Sequence, residues 1–166
     1  MIILIIWKIY IKYPNEKING KRSKMIDFIT AVKNYLEDEG KNVECLFSDD
    51  VISKDTFYKY KQRNPSLQTL IKVVNYLQVS INYLYEKSDV NNFSKYSTDQ
   101  SRFYEYLTEF IRKANLSNRQ FCKEMNYQKD NILRYKNGVE PSVRTLFEIA
   151  EYFGCSVDDL LTKENK

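Results

Sequence analysis

Basic and amide side chains occur close together in the stretch 128–136, whose sequence is QKDNILRYK. Arginine and lysine side chains donate hydrogen bonds to O6 and N7 of guanine, and asparagine and glutamine pair with N6 and N7 of adenine. Side chains of these types act together only when a rigid element holds them on one side. The candidates for contact with nucleic-acid bases and phosphates in this stretch are Gln128, Lys129, Asn131, Arg134 and Lys136.

A second basic cluster lies in the stretch 53–63, SKDTFYKYKQR. Four basic residues against one acidic residue give it a net charge of +3, and the stretch 128–136 carries +2. Local charge of this kind attracts phosphate groups, although the same pattern also occurs on ordinary solvated helix faces. The candidates for contact in this second cluster are Lys54, Thr56, Tyr58, Lys59 and Lys61.

The net charge of the whole chain, +4, comes from its first segment rather than from these clusters. Residues 1–24 contain six basic residues and one acidic residue, so they carry +5 and the remaining residues carry −1. Overall basicity therefore does not indicate nucleic-acid binding, and only the local clusters do.

Residues that typically begin or end helices predict short helices around the stretch 128–136. Ser117 followed by Gln120 is a capping-box pattern, which predicts a helix that runs to about Met125. A second helix is predicted from about Lys129 to Asn137, and a glycine at position 138 ends it because glycine enters the left-handed conformation at low cost. Two helices joined by a short turn, the second one basic, are typical of a DNA-binding helix-turn-helix.

Further helices are predicted on both sides of this pair. Pro141 begins a helix that Gly154 closes, and Ser156 with Asp159 caps a last one. Before the pair, residues 103–114 place apolar side chains at helical spacing, which predicts a helix with one buried face. The residues of that stripe are Phe103, Leu107, Phe110, Ile111 and Ala114.

The stretch 116–161 resembles the Cro/phage-repressor-like helix-turn-helix domains, the XRE family. The residues that carry the resemblance are Leu116-Ser117, Phe121-Cys122, Ile132, Asn137-Gly138, Pro141-Ser142, Thr145-Leu146, Ile149-Ala150 and 154–161. The resemblance implies an all-α, lambda-repressor-like DNA-binding domain of five helices, whose recognition helix lies in the major groove of double-stranded DNA. It also implies that Asn118 and Arg119 meet phosphate at the start of the first motif helix.

Residues 25–87 are predicted to be an earlier copy of the same domain. At a shift of 75 residues, Phe28, Lys54, Asp55, Tyr60 and Lys61 fall on Phe103, Lys129, Asp130, Tyr135 and Lys136. At a shift of 76, Pro65, Ser66, Thr69, Leu70, Tyr76, Ser80 and Leu84 fall on Pro141, Ser142, Thr145, Leu146, Tyr152, Ser156 and Leu160. A common fold requires shared residues at caps and apolar positions. The copies diverge in 42–52, where Asp50 falls on the apolar Met125, and the first copy lacks glycine at the positions of Gly138 and Gly154.

The chain is therefore predicted to have two tandem domains with flanking segments. Its parts are an N-terminal extension (1–24), a diverged first helix-turn-helix domain (25–87), a polar linker (88–101) and a second domain (102–166). In the extension, Lys8 and Lys12 interrupt the apolar run too soon for a membrane span of about 20 residues, so no membrane association is expected. The extension is expected to form a short strand or an irregular segment. An alternative is that translation starts at Met25.

Composition argues against several classes of site. Histidine is absent, which removes the commonest acid–base side chain and metal ligand. Cys45, Cys122 and Cys155 form neither a closed disulfide set nor a four-cysteine zinc site, so a reducing, cytoplasmic compartment is expected. Cys122 and Cys155 are expected at buried helical positions. No nucleophile–base pair and no glycine-rich phosphate loop is present in the sequence, so we expect no enzyme, metal, cofactor or small-molecule ligand.

The predicted function is sequence-specific binding of double-stranded DNA by a transcriptional regulator, with repression as the family default. Each recognition helix would lie in a major groove, with half-sites about one helical turn apart. The alternative is a protein-interaction module, antitoxin-like or repressor-binding, whose helix-turn-helix domains have lost DNA binding. The divergence of 42–52 favours that alternative, and a homodimer is compatible with both.

Overall fold

The computed structural model describes residues 25–99 and 101–162. Within these ranges it contains ten α-helices and no β-strand, so the all-α prediction is confirmed. The helices are α1 (Phe28–Asp38), α2 (Glu44–Ser48), α3 (Lys54–Lys59), α4 (Leu67–Leu77), α5 (Ile81–Leu84), α6 (Ser101–Lys113), α7 (Asn118–Glu124), α8 (Asn131–Lys136), α9 (Val143–Phe153) and α10 (Val157–Leu161). None of these helices is long and apolar enough to cross a membrane. The expectations for residues 1–24 lie outside the described residues.

Serine caps begin the helices α4 and α9, each of which has 11 residues. The Ser66 hydroxyl accepts a hydrogen bond from Thr69 N at 3.2 Å, and the Ser142 hydroxyl accepts one from Thr145 N at 3.1 Å. Both serines have extended backbone, so each satisfies an amide that has no partner inside its helix. Each helix then buries one apolar stripe: Leu67, Leu70, Ile71, Val73 and Val74 in α4, and Val143, Leu146, Ile149 and Ala150 in α9.

The helices α4 and α9 are each followed by a residue with left-handed backbone. Gly154 follows α9 with φ of 63°, as predicted, whereas Gln78 follows α4 with φ of 54°. A residue with a Cβ atom pays about 1–2 kcal/mol for this conformation, yet the chain turns in the same way after both helices. Gly138, also predicted to stop a helix, has φ of 84° after the end of α8.

The backbone in 42–52 corrects the sequence alignment of the proposed copies. Asp50 and Asn126 both have left-handed backbone, with φ of 53° and 56°. The amide that follows each of them bonds to the carbonyl five residues earlier, at 3.0 and 2.7 Å. Asp50 therefore corresponds to Asn126, and its predicted match to the apolar Met125 was wrong. Aspartate and asparagine tolerate the left-handed region better than most residues, so both are suited to this turn.

The core beneath α7 is built mainly from aromatic and aliphatic side chains of α6, α7 and α9. Phe121 of α7 is fully buried, and its ring stacks on that of Phe153 with the centroids 5.4 Å apart. The predicted stripe of α6 packs into the same core, with Phe103, Leu107 and Ile111 buried and Phe110 partly buried.

Two of the three cysteines were expected at buried helical positions, and only one of them occupies such a position. Cys122 lies in α7 and is 1% exposed, as expected. Cys155 follows Gly154 in the turn before α10 and is only partly buried, so its predicted helical position was wrong. Burial raises the pKa of the Cys155 thiol to about 12, which keeps it protonated at neutral pH.

The segment predicted as a linker lies on the helical body. Tyr96 is 2% exposed. The Asn75 side chain holds the Tyr96 backbone from both sides, donating to its carbonyl at 3.0 Å and accepting from its amide at 2.9 Å. Asn91 also accepts a hydrogen bond from Ser80 N at 2.8 Å. These contacts fix the path of the segment between α5 and α6.

Candidate nucleic-acid interface

The helix α7 begins with the capping box predicted from the sequence. Ser117 accepts a hydrogen bond from Gln120 N at 3.2 Å, and Gln120 Oε1 accepts from Ser117 N at 2.8 Å. The chain then turns through Asn126 and enters α8 at Asn131. Asn118 and Arg119 both lie exposed in the first turn of α7, on the element that a helix-turn-helix sets across the DNA backbone.

Two buried side chains hold α8 against the core. Ile132 and Tyr135 are 3% and 8% exposed, as predicted for inward-facing residues. The Tyr135 ring meets Phe103 of α6 edge-on, with the centroids 5.2 Å apart, and burial raises the pKa of the Tyr135 phenol. The opposite face of α8 is consequently turned to solvent at a fixed orientation.

The helix α8 begins later than the sequence indicated. It starts at Asn131 rather than at about Lys129, because Asn131 N bonds to the carbonyl of Gln128 in a turn, at 3.0 Å. Gln128 and Lys129 therefore lie on the loop that leads into the helix. Both are exposed, as are Arg134 and Lys136, and Asn131 is partly exposed.

Three polar side chains on this surface have no partner in the part of the chain that the structure describes. Lys129, Asn131 and Arg134 make no side-chain hydrogen bond or ion pair within residues 25–99 and 101–162. Asp130 and Arg134, four residues apart, also form no ion pair with each other. Their donors are thus available to acceptors on another molecule, as base edges and phosphates provide.

Leu133 is a surface residue that the sequence analysis missed. It is 57% exposed on α8, beside Arg134. An exposed leucine on this face can contact the methyl group of thymine, which is an apolar feature of the major groove. The sequence could have shown this exposure. Ile132 and Tyr135, three residues apart, share the buried face of the helix, and Leu133 does not lie on that face.

Unlike Lys129 and Arg134, basic residues of the cluster in 53–63 have partners within the part of the chain that the structure describes. Lys54 Nζ lies 3.3 Å from Glu44 Oε1, and both side chains are well exposed. Lys61 lies in the turn after α3, which ends at Lys59, and its ammonium is 5.5 Å from the Tyr58 ring centroid. The Glu44 carboxylate competes with any phosphate for Lys54, and it repels phosphate from the start of α2.

Neutralising this carboxylate is expected to strengthen binding to duplex DNA. In Glu44→Gln, Lys54 loses its intramolecular partner and a negative charge disappears from the surface. An exposed pair contributes about 0.2–1 kcal/mol, so we expect an affinity gain of roughly two- to fivefold in low salt, measured by fluorescence anisotropy. Glu109→Gln is the matched control, because Glu109 pairs with Lys113 on α6 at 3.0 Å, outside both basic clusters. Equal affinities of the two variants would contradict a role for Lys54 at the interface.

A known protein family matches the part of the chain that contains α7 and α8. Residues 107–160 match the family model of a helix-turn-helix. The matched model is that of an XRE-type helix-turn-helix, and the match takes in most of α6, all of α7, α8 and α9, and most of α10. The resemblance seen in 116–161 is thereby confirmed at that level, whereas α1 to α5 lie outside the matched residues. No curated protein and no solved structure matches the chain.

Within the helix-turn-helix, α8 is the second motif helix and so holds the position of a recognition helix. The donors on its exposed face belong to the element that enters the major groove in such motifs, and the Asn118–Arg119 pair belongs to the helix that crosses the backbone.

Proposed function

We propose that the protein is a sequence-specific transcriptional regulator that binds double-stranded DNA in the cytoplasm and represses by occupying its site. The observation that carries this proposal is the exposed face of α8. There, Lys129, Asn131 and Arg134 have no side-chain partner among residues 25–99 and 101–162, while Ile132 and Tyr135 anchor the helix in the core. No catalytic step and no cofactor is required for this action.

In the proposed complex the side chains divide between base reading and positioning. Arg134 pairs with O6 and N7 of a guanine, and Asn131 pairs with an adenine. Lys136, Asn118 and Arg119 contact phosphate, which sets the register of α8 in the groove. Leu133 adds apolar contact with a thymine methyl group.

The proposal includes a second copy of the domain in α1 to α5. Its support is the repeated order of helices and caps: Ser66 and Ser142 cap α4 and α9 in the same way, and both helices end in left-handed backbone. A further parallel is a tyrosine–carboxylate hydrogen bond near the end of α2 and of α7. Tyr76 donates to Asp49 at 2.7 Å, and Tyr152 donates to Glu124.

A protein-interaction module is the second candidate, and one observation favours it for the first half of the chain. Glu44 forms an ion pair with Lys54. At the shift of 75 residues, position 44 falls on position 119, so the first half has an acidic residue where the second half has the basic Arg119. Such a surface suits a basic or neutral protein partner better than phosphate.

A salt titration separates the two functions. Binding to duplexes from a random library is measured by fluorescence anisotropy at several salt concentrations, and we expect log K to fall with log salt by about 0.9 per phosphate contact. Lys136→Ala is expected to reduce that slope by about 1, while Lys113→Ala, outside the basic clusters, leaves it unchanged. Absence of duplex binding even in low salt would reject the regulator and favour the interaction module.

A further inference from the structure

The short helices α5 and α10 meet through two hydrogen bonds that mirror each other. Val157 N donates to Asn82 Oδ1 at 2.9 Å, and Ile81 N donates to Asp158 Oδ1 at 3.0 Å. In each bond the first residue of one helix donates to the side chain of the second residue of the other. The shift between the equivalent positions, 81 and 157 or 82 and 158, is 76 in both cases.

This reciprocity identifies the symmetry of the contact. When two units are related by a two-fold axis, every contact from position i to position j recurs from j to i. A head-to-tail relation joins two different surfaces, so the second bond would not accompany the first. The two bonds are those that an approximate two-fold axis between α5 and α10 would produce.

The segment that connects the two halves is part of this interface. The Tyr96 hydroxyl donates to Asp158 Oδ1, the same oxygen that accepts from Ile81 N, and Ile81 N also lies 2.9 Å from the Tyr96 hydroxyl. Burial raises the pKa of the Asp158 carboxyl, whereas the hydrogen bonds from Tyr96 and from Ile81 N lower it. Because the Asn75 side chain binds the Tyr96 backbone, the connecting segment is held in place at Tyr96.

Two more contacts join the halves outside this pair of helices. The Tyr85 ring meets Phe147 of α9 with the centroids 5.4 Å apart. Glu140 Oε2, in the second half, accepts a hydrogen bond from Leu67 N at 3.0 Å. This bond satisfies the first amide of α4. The apolar residues of α5 and α10 are covered as well: Ile81, Leu84, Val157, Leu160 and Leu161 are all buried.

We propose that the chain is its own dimer, and that one chain occupies one DNA site made of two unlike half-sites in inverted orientation at a fixed spacing. This rests on the proposed function for its DNA component. The two-fold relation turns α3 and α8 in opposite senses along the duplex, which matches inverted half-sites. The half-sites differ because α3 presents KDTFYK and α8 presents NILRYK. The α5–α10 surface is occupied within the chain, so a second copy is not needed to complete it.

The intramolecular interface is tested first, in the full chain without DNA. We expect sedimentation of a monomer and slow hydrogen exchange at the Ile81 and Val157 amides, measured by NMR. The double variant Asn82→Ala/Asp158→Ala removes the two mirrored acceptors. It is expected to speed exchange at both amides, and more at Val157 than at Ile81, because the Tyr96 hydroxyl still lies 2.9 Å from Ile81 N. Asp158→Asn is the matched control, because an amide oxygen in place of Oδ1 accepts the same two bonds and reproduces the asparagine present at position 82. Fast exchange at both amides in the unmodified chain would overturn the interface.

The DNA component is tested with a bipartite duplex selected from a random library by the full chain. Turning one half-site to a direct repeat, or inserting half a helical turn between the half-sites, is expected to weaken binding about 10²–10⁴-fold, because only one half of the chain then engages. The double alanine variant is expected to bind inverted and direct arrangements with similar affinity. If this variant does not fold, as judged by circular dichroism, Asn82→Ala alone takes its place, with a smaller loss of discrimination.

The outcomes separate this inference from the proposed function. Equal affinity of the unmodified chain for inverted and direct arrangements overturns the inference and leaves the regulator in place, as does binding of two chains per site in native mass spectrometry. Failure to bind any duplex overturns both. A strong preference for one spacing and for inversion, with one chain bound, supports the inference.

Discussion

Replacement of Arg134 with alanine is expected to weaken binding to a selected duplex by about 1–3 kcal/mol and to relax base preference at one position. Arg134 is exposed on α8, and its guanidinium has no ion-pair partner in the part of the chain that the structure describes. The planar fork of arginine pairs with O6 and N7 of guanine in two parallel hydrogen bonds, so its loss removes discrimination as well as charge. Repeating the library selection with the variant measures both effects.

Two control variants distinguish base reading at Arg134 from attraction to phosphate. Arg134→Lys keeps the charge but not the fork, so it should retain much of the affinity while the base preference relaxes. Arg144→Ala removes an arginine that is paired with Glu148 on α9, at 3.0 Å, and should leave the selected sequence unchanged. An unaltered selection profile in Arg134→Ala would remove Arg134 from the residues that read bases.

Replacement of Phe121 with alanine is expected to lower the free energy of unfolding by about 3–5 kcal/mol, the usual effect of truncating a buried aromatic residue. Phe121 is fully buried, stacks on Phe153, and meets Tyr127 and Tyr152 edge-on, with centroids 6.2 and 5.4 Å from its own. Its loss opens a cavity beneath α7, so the helix-turn-helix should lose stability before other parts. Urea denaturation followed by circular dichroism gives the magnitude.

Leu133→Ala, on the neighbouring helix α8, is expected to change base preference while leaving stability almost unchanged, in contrast to Phe121→Ala. Leu133 is 57% exposed, so this change should alter the free energy of unfolding by no more than about 0.5 kcal/mol. It should nevertheless reduce the preference for thymine at one position of the selected duplex. Comparable destabilisation by Phe121→Ala and Leu133→Ala would show that the assignment of core and surface around α7 and α8 is wrong.

Several helix ends of the second half, though not the start of α8, were readable from the sequence because their causes are local. The capping box of Ser117 and Gln120 and that of Ser156 and Asp159 each involve residues three positions apart. Gly154 closes α9 through its own backbone freedom. The inward positions Ile132 and Tyr135 followed from helical spacing alone. Short-range chemistry of this kind has the same effect in nearly any tertiary setting.

Two positions differ from their prediction because the local residue pattern is compatible with two backbone paths. Asp50 was matched to Met125 because a shift counted in residues cannot show which residue takes the left-handed turn. The second motif helix was predicted to start at about Lys129, whereas the turn closed by Asn131 N delays the start of α8. Helix boundaries depend on such single hydrogen bonds and are the least certain part of a sequence pattern.

What the sequence by itself determined is the set of helices, their caps, their buried faces and the helix-turn-helix in the second half. Only the tertiary structure decided which polar groups are already satisfied, such as Lys54 by Glu44, and which are not, such as Arg134. It alone brought Asn82 to Val157 and Asp158 to Ile81, because these bonds join residues more than 70 positions apart. Contacts of that kind depend on how whole helices pack, and no local residue pattern encodes them.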